Sequence, residues 1–391
     1  MAVVAGEVIC TALERVLYGN PTANALAEEA ERLGAQRVFL LVSSTLNEQT
    51  DEIEKIRAAL GERVAGVHHG VPPHGPRTAI LRAADHARDC NADLIVTVGG
   101  GTLTDAGKII LICLKHNLRE HDDLEAYHVY VNEQGAVIKP DFEGPDLRMI
   151  AVPTTLSGGE FNPLGGATDE TRKLKQGYEH RLLAPISVVL DPALTVHTPE
   201  WLWHSTGVRS LDHAMETLGS LQSNDYCDGI AESAIRLLTD GLSRVKRDPG
   251  DLEARLRCQI GVWQSMIPVV AGVPMGASHA IGHVLGGTRD VPHGYTSCVM
   301  APFVLRFNAP VNGARQQRIS AAFGQPHRAA DQLADDFIRS LGMPRSLGEV
   351  GVSEADLPLV AEYTMEDFWA RTNPRTIATP DDVMEILRTA L

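Results

Sequence analysis

The sequence predicts an α/β N-terminal dinucleotide-binding domain with a parallel sheet, followed by an all-α C-terminal domain, within 391 residues. Three observations carry that prediction. Buried-strand runs alternate with helical patterns in the first half, as right-handed parallel crossovers require. After Asp191-Pro192 the strand signals largely stop and helical periodicity dominates to the end. A triple glycine, Gly99-Gly100-Gly101, stands between a buried strand and a helix, where backbone amides can meet an anion. The expected domains are residues 1–195 and 196–391.

Hydrophobic residues make up 44% of the chain, ample for large cores, which excludes disordered and fibrous classes. With 35 basic and 50 acidic side chains the net charge is −15, a surface that repels phosphate backbones and anionic membranes. Nucleic acid and membrane are therefore not expected partners, and no apolar run reaches the roughly 18 residues of a membrane helix. The start, MAVVAGEVICTALERVLYGN, lacks the basic and apolar regions of a signal peptide. Cys10, Cys90, Cys113, Cys227, Cys258 and Cys298 form no C-x-x-C pair and read as reduced thiols. A cytoplasmic location is the expectation.

Residues 37–42 (RVFLLV) form an apolar run typical of a strand buried on both faces. Ile53, Ile56 and Leu60 recur at near-helical spacing, and residues 79–90 place Ile80, Leu81, Ala84 and Ala87 on one helical stripe. LIVTV (94–98) is a second buried strand running straight into the triple glycine, with a helix expected from about Thr104. Between 117 and 148 the pattern loosens, and AYHVYV and AVIKPDF flank NEQG, which predicts an inserted hairpin. MIAVP (149–153) and SVVLD (187–191) are further strands. SLDHAMETLGSL, GIAESAIRLLTDGL and LRCQIGVWQSMI are long helical patterns of the second half.

Two loops fit a dinucleotide. Glycines let backbone amides approach a pyrophosphate, the following helix adds a favourable dipole, and Thr102 and Thr104 offer hydroxyls. A second strand-end loop, Pro153-Thr154-Thr155-Leu156-Ser157-Gly158-Gly159-Glu160, is also rich in hydroxyls and glycine. Loops at neighbouring strand ends would lay the ligand along the C-terminal edge of the sheet. In the second half, His279 and His283 are four apart and share one helix face. His293 follows Gly286-Gly287 and Pro292, and His213 lies in another helical pattern. Such a set suits a metal or a proton relay.

GGGTLTDAGK (99–108), PTTLSGGE, DPALT (191–195), HAIGHVLGG with VPHG, and TNPRTI (372–377) together resemble the iron-containing, group III alcohol dehydrogenases, nearest the maleylacetate reductase-like subgroup. The resemblance spans roughly residues 15–390. It implies the architecture that this family shares with dehydroquinate synthase, catalysis in the interdomain cleft, NAD(P)-dependent alcohol–carbonyl chemistry and a homodimer. By position, Gly99, Gly100, Gly101 and Thr102 would hold the pyrophosphate, Asp105 would face the nicotinamide or substrate side, and Thr154, Thr155 and Ser157 would line the nicotinamide pocket. In metal-dependent members an Asp and three histidines hold Fe²⁺ or Zn²⁺; the histidines match His213, His279 and His293, and His283 matches one beside the cofactor.

The Asp ligand of the family falls at Arg209, four residues before His213. Guanidinium offers no lone pair, and within about 4 Å of a divalent cation its repulsion would cost several kcal/mol even at a dielectric near 20. No bound metal is therefore expected, and maleylacetate reductases, which also lack the Asp, are thought not to need one. Arg209 would either pair with Asp212 or Glu216, or take the place of the metal by binding an oxyanion or an oxo-acid carboxylate. Arg289, between His283 and His293, is a second cation for the same task. Ser43, ending the first strand, replaces the acidic residue that would reject a 2′-phosphate, so NADH and NADPH are both allowed. The expected function is NAD(P)H-dependent reduction of a ketone or aldehyde, foremost an oxo acid, with Arg209, His213, His279, His283 and His293 as the catalytic set. A metal-dependent alcohol dehydrogenase and a dehydroquinate synthase-like lyase using NAD transiently are the alternatives.

Overall fold

The computed structural model describes residues 7–132 and 136–391. They divide into two compact units, Thr11–Thr198 and Pro199–Leu391 together with the residues up to Cys10.

The first unit contains strands β1 (Arg15–Tyr18), β2 (Val38–Val42), β3 (Val64–His68), β4 (Leu94–Gly99), β5 (His128–Val131), β6 (Val137–Ile138), β7 (Arg148–Pro153), β8 (Leu164–Asp169), β9 (Leu174–Glu179) and β10 (Ser187–Leu190). Its helices are α1 (Thr22–Arg32), α2 (Ser44–Gln49), α3 (Glu52–Leu60), α4 (Arg77–Asp89) and α5 (Gly101–Lys115). A six-stranded sheet runs β1-β10-β7-β4-β2-β3, with every pair parallel. Register aligns Leu40 with Val96 and Val96 with Ile150. Those side chains, with Val42, Val98 and Val152, form one apolar face packed with Leu26, Ile53 and Ile56 of the flanking helices. Each such side chain contributes about 1.5–3 kcal/mol by leaving water.

The sequence reading did not identify β1, β3, β8 and β9. β1 and β3 are the two edges of the sheet, so neither needs a continuous apolar run. β8 (LGGATD) and β9 (LKQGYE) belong to a second, antiparallel sheet ordered β6-β5-β9-β8, and their glycines erase the alternation. Space explains Gly165, where a Cβ would stand 3.0 Å from the Cβ of buried Lys108; at Gly166 a Cβ would meet only the movable end of Lys175. The expected hairpin exists as the antiparallel β5–β6 pair, Tyr130 opposite Ile138, while residues 133–135 of its NEQG turn lie outside the described residues.

Arg77 holds β9 to α4. Its side chain is fully buried and donates to Tyr178 Oη (3.1 Å), His121 O (3.3 Å), Glu125 Oε1 (2.8 Å) and Gln176 Oε1. Glu125 is partly buried, which opposes its ionisation, but hydrogen bonds from Arg172, Arg77 and Gln176 prevail and hold its carboxyl down to about 2.

The second unit is helical: α6 (Glu200–Gly219), α7 (Asp225–Arg247), α8 (Leu252–Val270), α9 (Ala277–Arg289), α10 (His293–Ala322), α11 (Ala330–Ser340), α12 (Leu357–Thr364) and α13 (Pro380–Ala390). α6 is buried along most of its length, so both its apolar and its polar side chains face protein. α10 contains Pro302 and Pro310 and breaks helical geometry at Asn312, where Asn312 Nδ2 donates to Gly219 O at 2.9 Å. Among the described residues no helix is long and apolar enough to cross a membrane.

Arg77→Met should lower unfolding stability by about 3–5 kcal/mol, because it leaves buried acceptors without their cation; a denaturant titration checks this. The folded pKa of Glu125 lies below its unfolded value, so its contribution is full above the ordinary carboxylate range and fades as pH falls toward about 2. Wild type should therefore lose more stability on acidification than the variant.

Candidate functional site

Two groups of sequence-predicted residues assemble, one in each unit. In the first unit, β2, β4 and β7 are adjacent and parallel, and their C-terminal ends carry Ser43, Gly99 and Pro153. Gly99 has φ +157°, and a Cβ there would stand 2.5 Å from Leu103 Cδ1, so another residue would strain the backbone and push the Leu103 side chain aside. Cβ atoms on Gly100 and Gly101 would lie 3.2 Å from Thr155 Cγ2 and 3.3 Å from Ser157 Cβ. The two predicted loops thus touch. Thr154 N donates to Gly99 O (2.9 Å), Thr155 Oγ1 and Ser157 Oγ are 3.0 Å apart, and Ser43 N donates to Val98 O (2.9 Å).

α5 starts at Gly101, earlier than the expected Thr104, because glycine disguises the first turn of a helix. Its first-turn amides and positive dipole end therefore lie at the glycines. Thr102 is at this end, whereas Thr104 is buried and is not presented. Asp105 is engaged by Lys175, Nζ to Oδ2 3.2 Å, a pairing with no sequence signal. This cradle of amides and hydroxyls, which a Cβ would close, fits a dinucleotide.

In the second unit, Arg209, Asp212, His213 and Glu216 stand at i, i+3, i+4 and i+7 and share one face of α6. α9 supplies Ser278, His279 and His283, and α10 begins at His293. The His213 and His279 rings stack at 4.6 Å, and those of His283 and His293 lie 6.4 Å apart. Trp369 meets His279 at 5.6 Å and His283 at 4.9 Å, so the four histidines are linked by ring contacts.

Three carboxylates that the sequence reading did not place in the site organise it. Glu216 accepts from Gly276 N (2.9 Å), Ser278 N (3.0 Å) and His279 Nδ1 (2.7 Å). The N-cap of α9 is Gly276, which has no side chain, so Glu216 reaches across from α6 to take up its free amides. Asp212 Oδ2 accepts from Ser278 Oγ (2.6 Å), and Asp367 Oδ2 pairs with His283 Nδ1 (2.9 Å) while its Oδ1 accepts from Trp369 N (2.8 Å). The four-residue spacing of Asp212 and Glu216 was visible, but nothing local marked their partners.

Arg209 donates from Nη1 to Ser297 Oγ at 3.2 Å. The anticipated ion pair with Asp212 or Glu216 does not form within 4.0 Å among the described residues; both carboxylates are occupied by α9. Burial pushes the guanidinium below its ordinary range, opposed by Asp212, Glu216 and Asp367. Burial pushes Asp212 and Glu216 up, and the charge of Glu216 adds to the rise at Asp212, against the pull of Arg209 on both. Burial, neighbouring imidazoles and Arg209 keep His213 and His279 well below the ordinary histidine range, so both are neutral. With Glu216 accepting from the Nδ1–H of His279, Nε2 is the bare nitrogen of that ring. That Nε2 and the Nδ1 of His213 are buried with no hydrogen-bond partner among the described residues. Arg289 is bound to Asp356 (2.8 Å) and Thr288 O (3.0 Å), so it is not a spare cation.

A divalent metal fits this set poorly. The place of the fourth ligand holds a cation, and a guanidinium cannot coordinate. Asp212, Glu216 and His279 do bring donor atoms within 4.8 Å of one another. Yet Glu216 already accepts three hydrogen bonds and Asp212 accepts that of Ser278.

Residues 14–192 match the family model of iron-containing alcohol dehydrogenases and residues 204–391 match the C-terminal model of the Fe-containing alcohol dehydrogenase family. The chain is 33% identical to a dehydrogenase of Alternaria alternata, over 91% of this chain and 99% of that protein. It is 31% identical to maleylacetate reductase 2 of Cupriavidus pinatubonensis, over 96% and 94%. The crystal structure of maleylacetate reductase from Agrobacterium tumefaciens superposes with a TM-score of 0.83 at 25% identity, covering 100% of this chain and 99% of that one.

Glu216→Ala should lower unfolding stability by about 2–4 kcal/mol, since it strands two amides and an imidazole N–H. Glu216→Gln, which keeps one acceptor oxygen, should recover part of that loss in a urea titration. Equal stability of wild type and the alanine variant would contradict the capping role.

Proposed function

As a member of the iron-containing alcohol dehydrogenase family, whose maleylacetate reductase-like subgroup it is nearest, this chain is, we propose, an NAD(P)H-dependent oxidoreductase that reduces a ketone or aldehyde, foremost an oxo acid, without a bound metal. The observation that carries this reading is a pair of buried, neutral imidazoles, each with a nitrogen that has no hydrogen-bond partner among the described residues (His213 Nδ1 and His279 Nε2), on the site that the Arg209 guanidinium shares.

The amides of Gly99, Gly100 and Gly101 with Thr102 hold the pyrophosphate, and Thr154, Thr155 and Ser157 line the nicotinamide. A bound reduced nicotinamide supplies the hydride. Ser43 brings no carboxylate against a 2′-phosphate, so both cofactors are accepted. Arg209 has N–H donors beyond the one given to Ser297; it orients the substrate carboxylate or meets the developing alkoxide in a desolvated setting. A ring N–H of His213 or His293 donates to the reacting oxygen, and the lone pair of His279 Nε2 accepts from the hydroxyl that forms there. His283, whose side chain is 38% exposed and whose Nδ1 is held by Asp367, exchanges protons with water and returns one to the alkoxide. Free thiols at all six cysteines accord with a cytoplasmic setting, and a homodimer is the assembly we propose.

A metal-dependent alcohol dehydrogenase is the second reading, favoured by the Asp212–Glu216–His279 grouping. NADH and NADPH oxidation against a panel of carbonyl compounds, before and after exhaustive chelation, separates the two. We expect chelator-insensitive reduction of an oxo acid, and a loss of about a hundredfold in kcat/KM for Arg209→Ala. Activity that vanishes on chelation and returns with Fe²⁺ or Zn²⁺ overturns the metal-free reading.

A further inference from the structure

Lys108 lies on α5, seven residues after Gly101, and its side chain is fully buried. Its three N–H donors are all used: Nζ donates to Gly159 O (2.6 Å), Leu164 O (2.7 Å) and Asn162 Oδ1 (3.1 Å). Asn162 Oδ1 in turn accepts from Leu164 N at 3.0 Å. These acceptors lie directly downstream of Ser157 and of Gly158 with φ +79°, in the tight turn Gly159–Phe161 and just after it. One ammonium therefore ties the helix that begins at the glycine cradle to the chain leaving the hydroxyl loop.

We infer that Lys108 is a positioning residue of the cofactor site, fixing Thr154, Thr155 and Ser157 against Gly100 and Gly101 without touching the cofactor itself. This rests on the NAD(P)H-binding reading. A planar guanidinium cannot reproduce three bonds diverging from one nitrogen, so the site selects lysine over arginine. The charged groups facing Lys108 are Asp105 on its own helix, Glu160 in the turn and Lys175 on β9. Burial pushes Lys108 down to about 8, against the pull of Asp105 and Glu160, with Lys175 adding to the fall. Burial likewise pushes Glu160 up to about 7. Near neutral pH the amine is thus charged and saturated with acceptors. As pH rises through about 8 it loses its charge and one of its three donors, and its hold on the loop weakens.

NADH and NADPH dissociation constants measured by nucleotide fluorescence across this pH range, together with KM and kcat, test the inference. Wild type should bind progressively more weakly above about pH 8. Lys108→Met should raise Kd about tenfold at neutral pH, equivalent to about 1.4 kcal/mol, flatten the alkaline rise, and leave kcat at saturating cofactor within about threefold, because lost positioning is recovered by added ligand. Lys108→Arg should not rescue binding. Asn162→Ala, which keeps the ammonium and removes one acceptor, should give an intermediate Kd and serves if the methionine variant does not fold. A folded Lys108→Met with unchanged Kd, or with the alkaline rise intact, overturns the role of Lys108 alone, as does an Asn162→Ala variant that binds like wild type. Wild type that binds neither nucleotide overturns the functional reading as well.

Discussion

Removing a cation from water is costly unless acceptors surround it, and two buried cations with a third that is partly buried show what this constraint does to the chain. Lys108 uses all three of its donors and Arg77 four of its five: each gathers oxygens from segments far apart in sequence, and ties β9 or the loop after β7 in place. Arg209 is different. Among the described residues it donates to Ser297, while the carboxylates whose charge reaches it are bonded to α9. A desolvated guanidinium with donors to spare is suited to an incoming anion.

The helical unit applies the same economy to imidazoles. Glu216 and Asp367 each fix one ring nitrogen of a histidine and also accept backbone amides, so tautomer and local chain path are set by the same oxygen pair. Ring orientation is therefore built into the helix cap and the turn at Asp367, independent of any ligand.

Much of this was legible from sequence because the signals were local. Continuous apolar runs gave the central strands, strand-then-glycine gave the cradle, and four-residue spacing put His279 with His283. The edge strands were not legible, since half-exposed residues such as those of β3 carry no distinctive pattern. Nor was β8, where glycine makes room for a lysine stem that comes from elsewhere. The roles of Glu216, Asp367, Trp369 and Lys108 depend on partners 51 to 84 residues away or on ring contacts between separate elements, which no local window contains. Arg209 was recognisable as a departure, yet its bond to Ser297, 88 residues on, was not.

The contact between Gly100–Gly101 and Thr155–Ser157 has a consequence for how this protein can change. The close spacing of the two loops depends on atoms that are missing: a single methyl group on either glycine would press on the hydroxyl-bearing side chain opposite, which would have to give by a few tenths of an ångström. Substitutions on one loop are thus felt on the other, and drift at these positions must be concerted. Variation among descendants of this sequence should accordingly collect where side chains face open space, as around Gly287 and Gly313, and leave the cradle narrow.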